Sequence, residues 1–380
     1  MKATAETDAA EQIALLRDSA ASFVRDNTDL KALRQRRGTL LGHDADRLRD
    51  MARLGWFGIL VPEAYGGLGL GFAELSVVLQ ELGKGLMAEP LVSSAVLAAR
   101  VLHHGGNDAL KKRLLPQLAD GRLLAAVAWQ EEAGGFDVSA IATRAEPRQG
   151  GVCLTGRKRF VAGAAGAGGF VVSARSASGN GLYWIDAASK GLSMSYEWRV
   201  DETPSGIIEL DNVVVPADQV IDPASPTGLH SLERAIEEAA VVASAEMLGV
   251  MERALEMALD YMRTRVQFGK AIGSFQALQH KAVDLYIQQE LARAVLDDAV
   301  CELDAASSAS ARSKLASRCK SRCSDAGLRI TREVIQLHGA IGYTDEHDAG
   351  LYLKRALVLS GWLGNSSTHR RRFAALADVA

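Results

Sequence analysis

The period of the hydrophobic positions changes twice along the chain. From residue 8 to about 120 apolar residues recur three and four apart, which predicts helices. From about 121 to 224 short runs rich in valine, isoleucine and aromatic residues alternate with glycine-containing turns, as strands of an antiparallel barrel or sandwich do. From about 229 the helical steps return, and their persistence from Leu232 to Met262 predicts one unusually long helix. The order is helical, then β, then a helical bundle.

These changes of pattern set the expected domain boundaries. We predict an α-helical domain at residues 1–120, a β-domain at 121–225 and an α-helical bundle at 226–380. After the long helix, further helices are expected at about 275–303, 310–339 and 346–376.

Composition narrows the class of protein. The chain has 380 residues, and its 43 basic and 46 acidic side chains give a net charge of -3, which argues against a nucleic-acid binder. Four cysteines in so long a chain form no disulfide framework, so a reducing compartment is expected. The N-terminus lacks a signal-peptide hydrophobic region, and no apolar run approaches the roughly 20 residues of a membrane span. We therefore expect a cytoplasmic protein with neither a membrane span nor a nucleic-acid partner.

Two glycine- or cysteine-containing motifs favour ordinary interpretations. The glycines of GAAGAGG (Gly163 to Gly169) are followed by a strand, whereas a dinucleotide fingerprint opens a helix, so a hairpin connection is expected. Cys319 and Cys323 are four residues apart on a predicted helix, but no second Cys/His cluster accompanies them. No metal site is predicted.

The segment from Tyr261 to Asp284, YMRTRVQFGKAIGSFQALQHKAVD, interrupts two helical patterns with polar and aromatic residues. Arg265 offers a fork of donors suited to a diphosphate, and neighbouring glutamines and phenylalanines suit the rest of a nucleotide. The alternative is a helical hairpin whose polar residues only cap helices and meet solvent.

A second segment, QLHGAIGYTDEHDAGLYLKRA, contains three glycines that break a helical pattern and permit close approach of a ligand to the backbone. Its histidine, His338, is able to donate to a phosphate. The alternative is a histidine with a purely structural role.

Taken together, RVQFGKAIGSFQALQHKAVD, the later QLHGAIGYTDEH and the earlier VPEAYGGLGLG resemble the acyl-CoA dehydrogenase family. The resemblance spans essentially the whole chain and is strongest for small, beta-type subunits such as that of pimeloyl-CoA dehydrogenase. It implies a multi-domain α+β fold with an N-terminal helical domain, a middle antiparallel β-barrel domain and a C-terminal four-helix bundle. It also implies FAD, an acyl-CoA thioester substrate, an electron-transfer flavoprotein or similar acceptor, and a homo- or heteromeric dimer or tetramer.

The resemblance also assigns cofactor-binding residues by matching position. In the family these positions hold the FAD diphosphate and adenine of the neighbouring subunit. In this chain they are Arg265, Gln267, Phe268, Ile272, Phe275, Gln276, Gln336, Leu337, His338 and Gly339.

The positions that match the family's contacts to a subunit's own flavin differ in this chain. The family's TEPxxGSD loop corresponds to Gln130–Val138, with Glu132 in place of proline and Phe136 in place of serine. The family's Trp-x-Ser/Thr corresponds to Phe160-Val161-Ala162, and alanine cannot hydrogen-bond a flavin. One polar contact to the flavin is therefore missing.

The catalytic base differs as well. Many family members carry a glutamate at the position of Leu363, and leucine cannot accept a proton. Others carry it on the long helix, at the position of Ala239, which follows Glu238 directly. Glu238 is our candidate base, with a pKa expected to be raised by apolar neighbours. The alternative is a glutamate on a solvated helix face.

Three functions follow from the resemblance. The first is a subunit of a heteromeric acyl-CoA dehydrogenase whose paralogous partner supplies the glutamate. The second is a homomeric acyl-CoA dehydrogenase that uses Glu238. The third is a subunit that binds flavin or acyl-CoA without catalysis.

Overall fold

The computed structural model describes residues 2–132, 135–226, 229–303, 305 and 308–377. Its α-helices are α1 (Lys2–Asn27), α2 (Leu30–Gln35), α3 (Ala45–Arg53), α4 (Phe72–Lys84), α5 (Ala99–His104), α6 (Asp108–Ala119), α7 (His230–Thr264), α8 (Gln276–Leu303), α9 (Ala309–His338), α10 (Ala349–Gly361) and α11 (Ser366–Ala377). Its strands are β1 (Ala125–Ala128), β2 (Arg144–Arg148), β3 (Gly151–Ala162), β4 (Gly169–Ser176), β5 (Gly179–Asp186), β6 (Leu192–Trp198), β7 (Pro204–Pro216), β8 (Val220–Ser225), β9 (Val266–Gln267) and β10 (Lys270–Ala271).

The C-terminal helices agree with the sequence pattern except for the last. The long helix α7 and the helices α8 and α9 begin and end within a few residues of their predicted bounds. The single helix predicted at 346–376 is wrong, because the chain turns between α10 and α11. Leu363 and Gly364 adopt φ values of 60° and 98° in this turn, and a right-handed helix cannot continue through that conformation.

The strands β1 to β8 form one sheet, but the sheet is not the predicted closed antiparallel barrel. Its order is β6-β7-β3-β2-β4-β5-β8, with β1 also paired to β4, and in the described part of the chain its two end strands do not pair with each other. Both β1 and β2 run parallel to β4. Short apolar runs reveal strands but not their partners, since pairing direction depends on the connections between them.

The connection from β3 to β4 contains the glycine-rich GAAGAGG segment, and the predicted hairpin is wrong at this point. In the sheet order β2 lies between β3 and β4, so residues 163–168 cross over a neighbouring strand. Just before this crossover the register of β3 against β7 shifts between Lys158 and Val161. The shift contains Phe160, whose φ is 58°. A bulge of this kind changes the direction of a side chain relative to the regular strand.

The described chain has helices before the sheet and helices after it, as predicted. By spatial contact it divides into two compact units. Unit 1 comprises Met1–Gln35, Phe72–Met87 and Ala240–Ala380, and unit 2 comprises Arg36–Gly71 and Ala88–Ala239. The domain boundaries at 120 and 225 and the four-helix count stay predictions. Among the described helices, none has both the length and the apolar character needed to cross a membrane.

Candidate functional site

Unit 1 contains an open cavity of about 770 Å³ where α7 and α9 end. Seven of the ten residues predicted to hold a cofactor lie in its wall, although they come from two segments about 70 residues apart in sequence. They are Arg265, Gln267, Ile272, Gln336, Leu337, His338 and Gly339. The structure therefore brings most of the two motifs together in one place. Their binding of FAD stays a prediction.

Local backbone geometry produces this wall. After α7 the chain forms a two-stranded hairpin of β9 and β10, with Gly269 in the left-handed region at φ 78°. The amide of Ile272 donates to the carbonyl of Arg265 over 2.8 Å and closes the hairpin. At the end of α9, Gly339 has a φ of 67°, which ends the helix and turns the chain along the cavity.

Three of the predicted residues are not part of the cavity wall. Phe268 and Phe275 pack edge to face, with ring centroids 6.2 Å apart, and the Lys270 ammonium lies 4.3 Å from the centroid of Phe275. Phe268 is 92% exposed. Gln276 is the first residue of α8 and is exposed.

Two aromatic residues at this site were not predicted from the sequence. Tyr261 lines the cavity and lies one helical turn before Arg265. Because residues four apart share a helix face, the helical period places Tyr261 on the same side of α7 as Arg265. The ring centroid of Tyr261 is 4.7 Å from that of His338. The ring centroid of His347 is 4.2 Å from that of His338, so both rings pack on the buried His338 side chain. His347 follows an irregular segment, where no periodic pattern indicates which side chains turn inward.

Two polar side chains of the cavity wall have no hydrogen-bond partner among the described residues. Within the described part of the chain, the side chains of Arg265 and Gln336 make no hydrogen bond or ion pair. A free guanidinium can bind a diphosphate through two parallel hydrogen bonds. The donors present therefore fit the diphosphate of a dinucleotide cofactor.

In unit 2 a buried ion pair holds together the two segments that differ from the family's flavin contacts. The Glu131 carboxylate accepts hydrogen bonds from Lys158 over 2.6 Å and from the hydroxyl of Thr143 over 2.7 Å. Burial lowers the pKa of Lys158 to about 8, against the opposing effect of Glu131. The amide of Arg159 also donates to the carbonyl of Gln130 over 2.9 Å. In the 130–138 segment, Ala133 and Gly134 lie outside the described residues.

Phe160, at the position of the family's flavin-covering tryptophan, is 46% exposed. The Arg159 guanidinium lies 4.9 Å from the centroid of its ring. Phe160 thus presents an accessible aromatic face, while Ala162 on the same strand offers no polar side chain.

Glu238, the candidate base, lies in unit 2 and is 1% exposed. Its carboxylate accepts two hydrogen bonds from Arg100, at 2.7 and 3.0 Å. His104 Nε2 lies 3.0 Å from both carboxylate oxygens, and Arg234 donates over 3.0 Å. Burial by itself raises the pKa of Glu238, but the bonds from His104 and Arg100 outweigh burial and hold the pKa far below its usual value. The expectation of a raised pKa is wrong. The catalytic role stays a prediction that this geometry does not favour.

The turn between α10 and α11 holds Leu363 where many family members carry their glutamate. Leu363 is 2% exposed. His369 Nε2 bonds to the carbonyl of Leu363 over 2.9 Å, and the buried Lys320 ammonium donates to the carbonyl of Leu359. Two buried polar side chains thus fix the backbone of this turn, while residue 363 supplies no proton acceptor.

Comparison with known proteins gives matches over nearly the whole chain. Models of the N-terminal and C-terminal domains of acyl-CoA dehydrogenases match residues 10–122 and 227–377. Acyl-CoA dehydrogenase IpdE2 from Mycobacterium tuberculosis is 30% identical over 348 residues, which is 91% of each chain. A variant of the Tcur3481-Tcur3483 steroid ACAD is 30% identical and has a TM-score of 0.88, with 97% of this chain and 98% of that chain covered. The ChsE4-ChsE5 complex from Mycobacterium tuberculosis gives the same TM-score and coverage at 25% identity.

Proposed function

Because the chain belongs to the acyl-CoA dehydrogenase family, we propose that it is one subunit of a heteromeric enzyme whose partner subunit supplies the catalytic glutamate. Enzymes of this family are FAD-dependent oxidoreductases that act on CH–CH groups. One observation carries the proposal: Arg265 and Gln336 keep free donors in the cavity wall, while neither Leu363 nor Glu238 offers a carboxylate able to accept a proton.

The reaction of the family defines what this chain lacks. A weakly acidic proton leaves the carbon beside the thioester carbonyl, and bound FAD would supply the acceptor for a hydride from the neighbouring carbon. The proton acceptor must be a carboxylate whose charged form is not already stabilised by bonded cations. Leu363 has no ionisable group, and Glu238 is already paired with two arginines and a histidine. A second subunit would therefore have to provide the carboxylate.

The residues that would hold FAD are those of the cavity wall. Arg265 would bind the diphosphate through its guanidinium, and Gln336 would donate its amide hydrogens. Gly339 would allow close approach of the cofactor to the backbone, because it has no side chain. The space that a Cβ atom would occupy at this position is open, with no other atom within 4 Å.

Exposed apolar surface supports assembly with another chain. Phe268 projects from the β9–β10 hairpin, and its 92% exposure leaves an aromatic ring in water. One face of α8 carries four further apolar residues that are 46% to 55% exposed: Val283, Tyr286, Ile287 and Leu291. Exposed apolar side chains that cluster on one helix face are typical of interaction sites. The similar ChsE4-ChsE5 structure is a complex of two proteins. As electron acceptor we propose an electron-transfer flavoprotein or a protein of similar function.

The test compares the chain alone with the chain co-expressed with a paralogous subunit that carries the glutamate. We expect the chain alone to lack flavin absorbance and dye-reducing activity with a panel of acyl-CoAs, and the co-purified complex to show both. A yellow, active homomer would contradict the heteromeric proposal. A complex that binds FAD or acyl-CoA but turns over no acyl-CoA would indicate a non-catalytic binding subunit instead.

A further inference from the structure

His338 and His347 form a pair of packed imidazole rings beside the cavity. Their ring centroids are 4.2 Å apart, and Tyr261 packs on His338 with a centroid distance of 4.7 Å. His338 is 3% exposed but lines the cavity, so one of its edges meets the space that a ligand would occupy.

Hydrogen bonds to the backbone determine which nitrogen carries the proton in the neutral form of each ring. His338 Nδ1 lies 2.7 Å from the carbonyl of Val334, and a carbonyl accepts only, so Nδ1 carries the proton. His347 Nδ1 accepts the amide hydrogen of Ala349 over 3.1 Å, so its proton is on Nε2. A neutral His338 therefore has a bare lone pair on Nε2, while a neutral His347 has a donor there.

This difference has a consequence for anions. An anion's oxygens accept hydrogen bonds and do not donate them, so a neutral His338 cannot bond one through Nε2. It cannot shift its existing proton to Nε2 without breaking the bond to Val334. His338 can donate to an anion in the cavity only by gaining a second proton.

The charged groups around the pair favour a single added proton. Burial, followed by the effect of His338, lowers the pKa of His347. Asp348 opposes this lowering and Arg34 reinforces it, and these two side chains bond each other over 2.7 Å. Arg265 is the arginine that lines the cavity itself. Because two charged imidazoles 4.2 Å apart repel each other, His347 remains neutral when His338 is charged.

We propose that His338 takes up a proton from solvent when the cavity receives the FAD diphosphate, and that His347 is the neutral ring that positions it. This inference rests on the proposed assignment of the cavity to FAD. The added proton goes onto Nε2 and is shared with a diphosphate oxygen. No covalent bond forms or breaks in the cofactor.

Calorimetry of FAD binding to the flavin-free complex, in PIPES and in Tris at the same pH, tests the proton uptake. We expect an uptake of up to about one proton per FAD, and an affinity that falls as the pH rises by up to about tenfold per pH unit. A binding enthalpy that does not depend on the buffer would overturn this inference and leave the proposed function intact. Failure of FAD to bind would overturn both.

Variants identify the ring that gains the proton. His338→Gln should abolish the proton uptake and flatten the pH profile, since glutamine donates through its amide without titrating. His347→Gln should weaken FAD binding several-fold and retain the uptake. The exposed His230 in unit 2 is the control, and His230→Gln should change neither quantity. Uptake that survives in His338→Gln and disappears in His347→Gln would overturn the assignment.

Discussion

Two polar clusters in this protein differ in how completely their groups are paired. In unit 2, every oxygen of the Glu238 carboxylate is engaged by Arg100, His104 or Arg234. In the cavity wall of unit 1, the Arg265 side chain makes no hydrogen bond or ion pair with the described residues. The sequence suggested chemistry at both places.

The difference separates a structural site from a binding site. A carboxylate saturated by cations is stabilised in its charged form, so it is a weak proton acceptor and a strong crosslink between segments. A cation left without an intramolecular partner keeps its binding capacity for a ligand. How completely a charged side chain is hydrogen-bonded within the protein thus distinguishes the two kinds of site, whereas residue type alone does not.

Glu238→Ala should have the largest effect, on stability. It leaves the partly buried Arg100 without its carboxylate, so we expect the free energy of unfolding to fall by about 3–5 kcal/mol, measured by urea denaturation. Glu233→Ala, on the same helix but more exposed, is the control and should cost less than about 1 kcal/mol. In an active complex, loss of turnover in a well-folded Glu238→Gln variant would instead indicate a catalytic base.

Arg265→Ala should act on cofactor binding and not on stability. Loss of charge-assisted hydrogen bonds worth about 1.5–3 kcal/mol should raise the FAD dissociation constant of the complex about 10- to 100-fold. The matched control is Arg263→Ala, because Arg263 is exposed and bonds Asp260 on its own helix. Equal affinities of the two variants would contradict the role of Arg265.

Phe268→Ala tests whether the exposed ring is buried in an assembly. In the isolated chain its loss should change the free energy of unfolding by less than about 0.5 kcal/mol. In the complex it should weaken association by about 1–2 kcal/mol, measured by analytical ultracentrifugation. Val214→Ala, an exposed apolar residue on β7, is the control. Association unaffected by Phe268→Ala would place the interface elsewhere.

The smallest effect concerns acid stability. The native pKa of Glu238 is below its ordinary value of 4.5, so the unfolded chain binds this proton first as the pH falls. The stabilisation is complete above pH 4.5 and is lost below it, with a slope of up to about 1.4 kcal/mol per pH unit from this one group. Glu238→Gln should therefore show a shallower loss of stability in acid than the unmodified chain. Identical slopes would mean that Glu238 does not titrate differently in the two states.

Seven of the residues that the family resemblance assigned by position lie in the cavity wall, because they belong to two short segments at helix ends. Arg265 and Gln267 are placed by the end of α7 and the hairpin that follows, and His338 by the end of α9. The long helices, by contrast, were predicted from the apolar period itself, which persists over many turns.

The environment of Glu238 was not predictable in this way. Arg100 and His104 are 138 and 134 residues away in sequence, and only Arg234, one turn earlier on α7, was a local signal. Strand partners in the sheet posed the same difficulty, since β1 and β2 pair with β4 across long connections. Contacts between residues far apart in sequence produce no periodic pattern from which they could be predicted.

The backbone of the α10–α11 turn has a consequence for protein design. Leu363 has a φ of 60°, a conformation that costs roughly 1–2 kcal/mol for any residue with an ordinary side chain. Leucine already bears this cost, so exchanging it for glutamate adds no new backbone strain. The exchange adds only the work of placing a carboxylate among buried neighbours. The backbone at position 363 therefore does not oppose an engineered glutamate, whereas burial of its carboxylate does unless a partner is supplied.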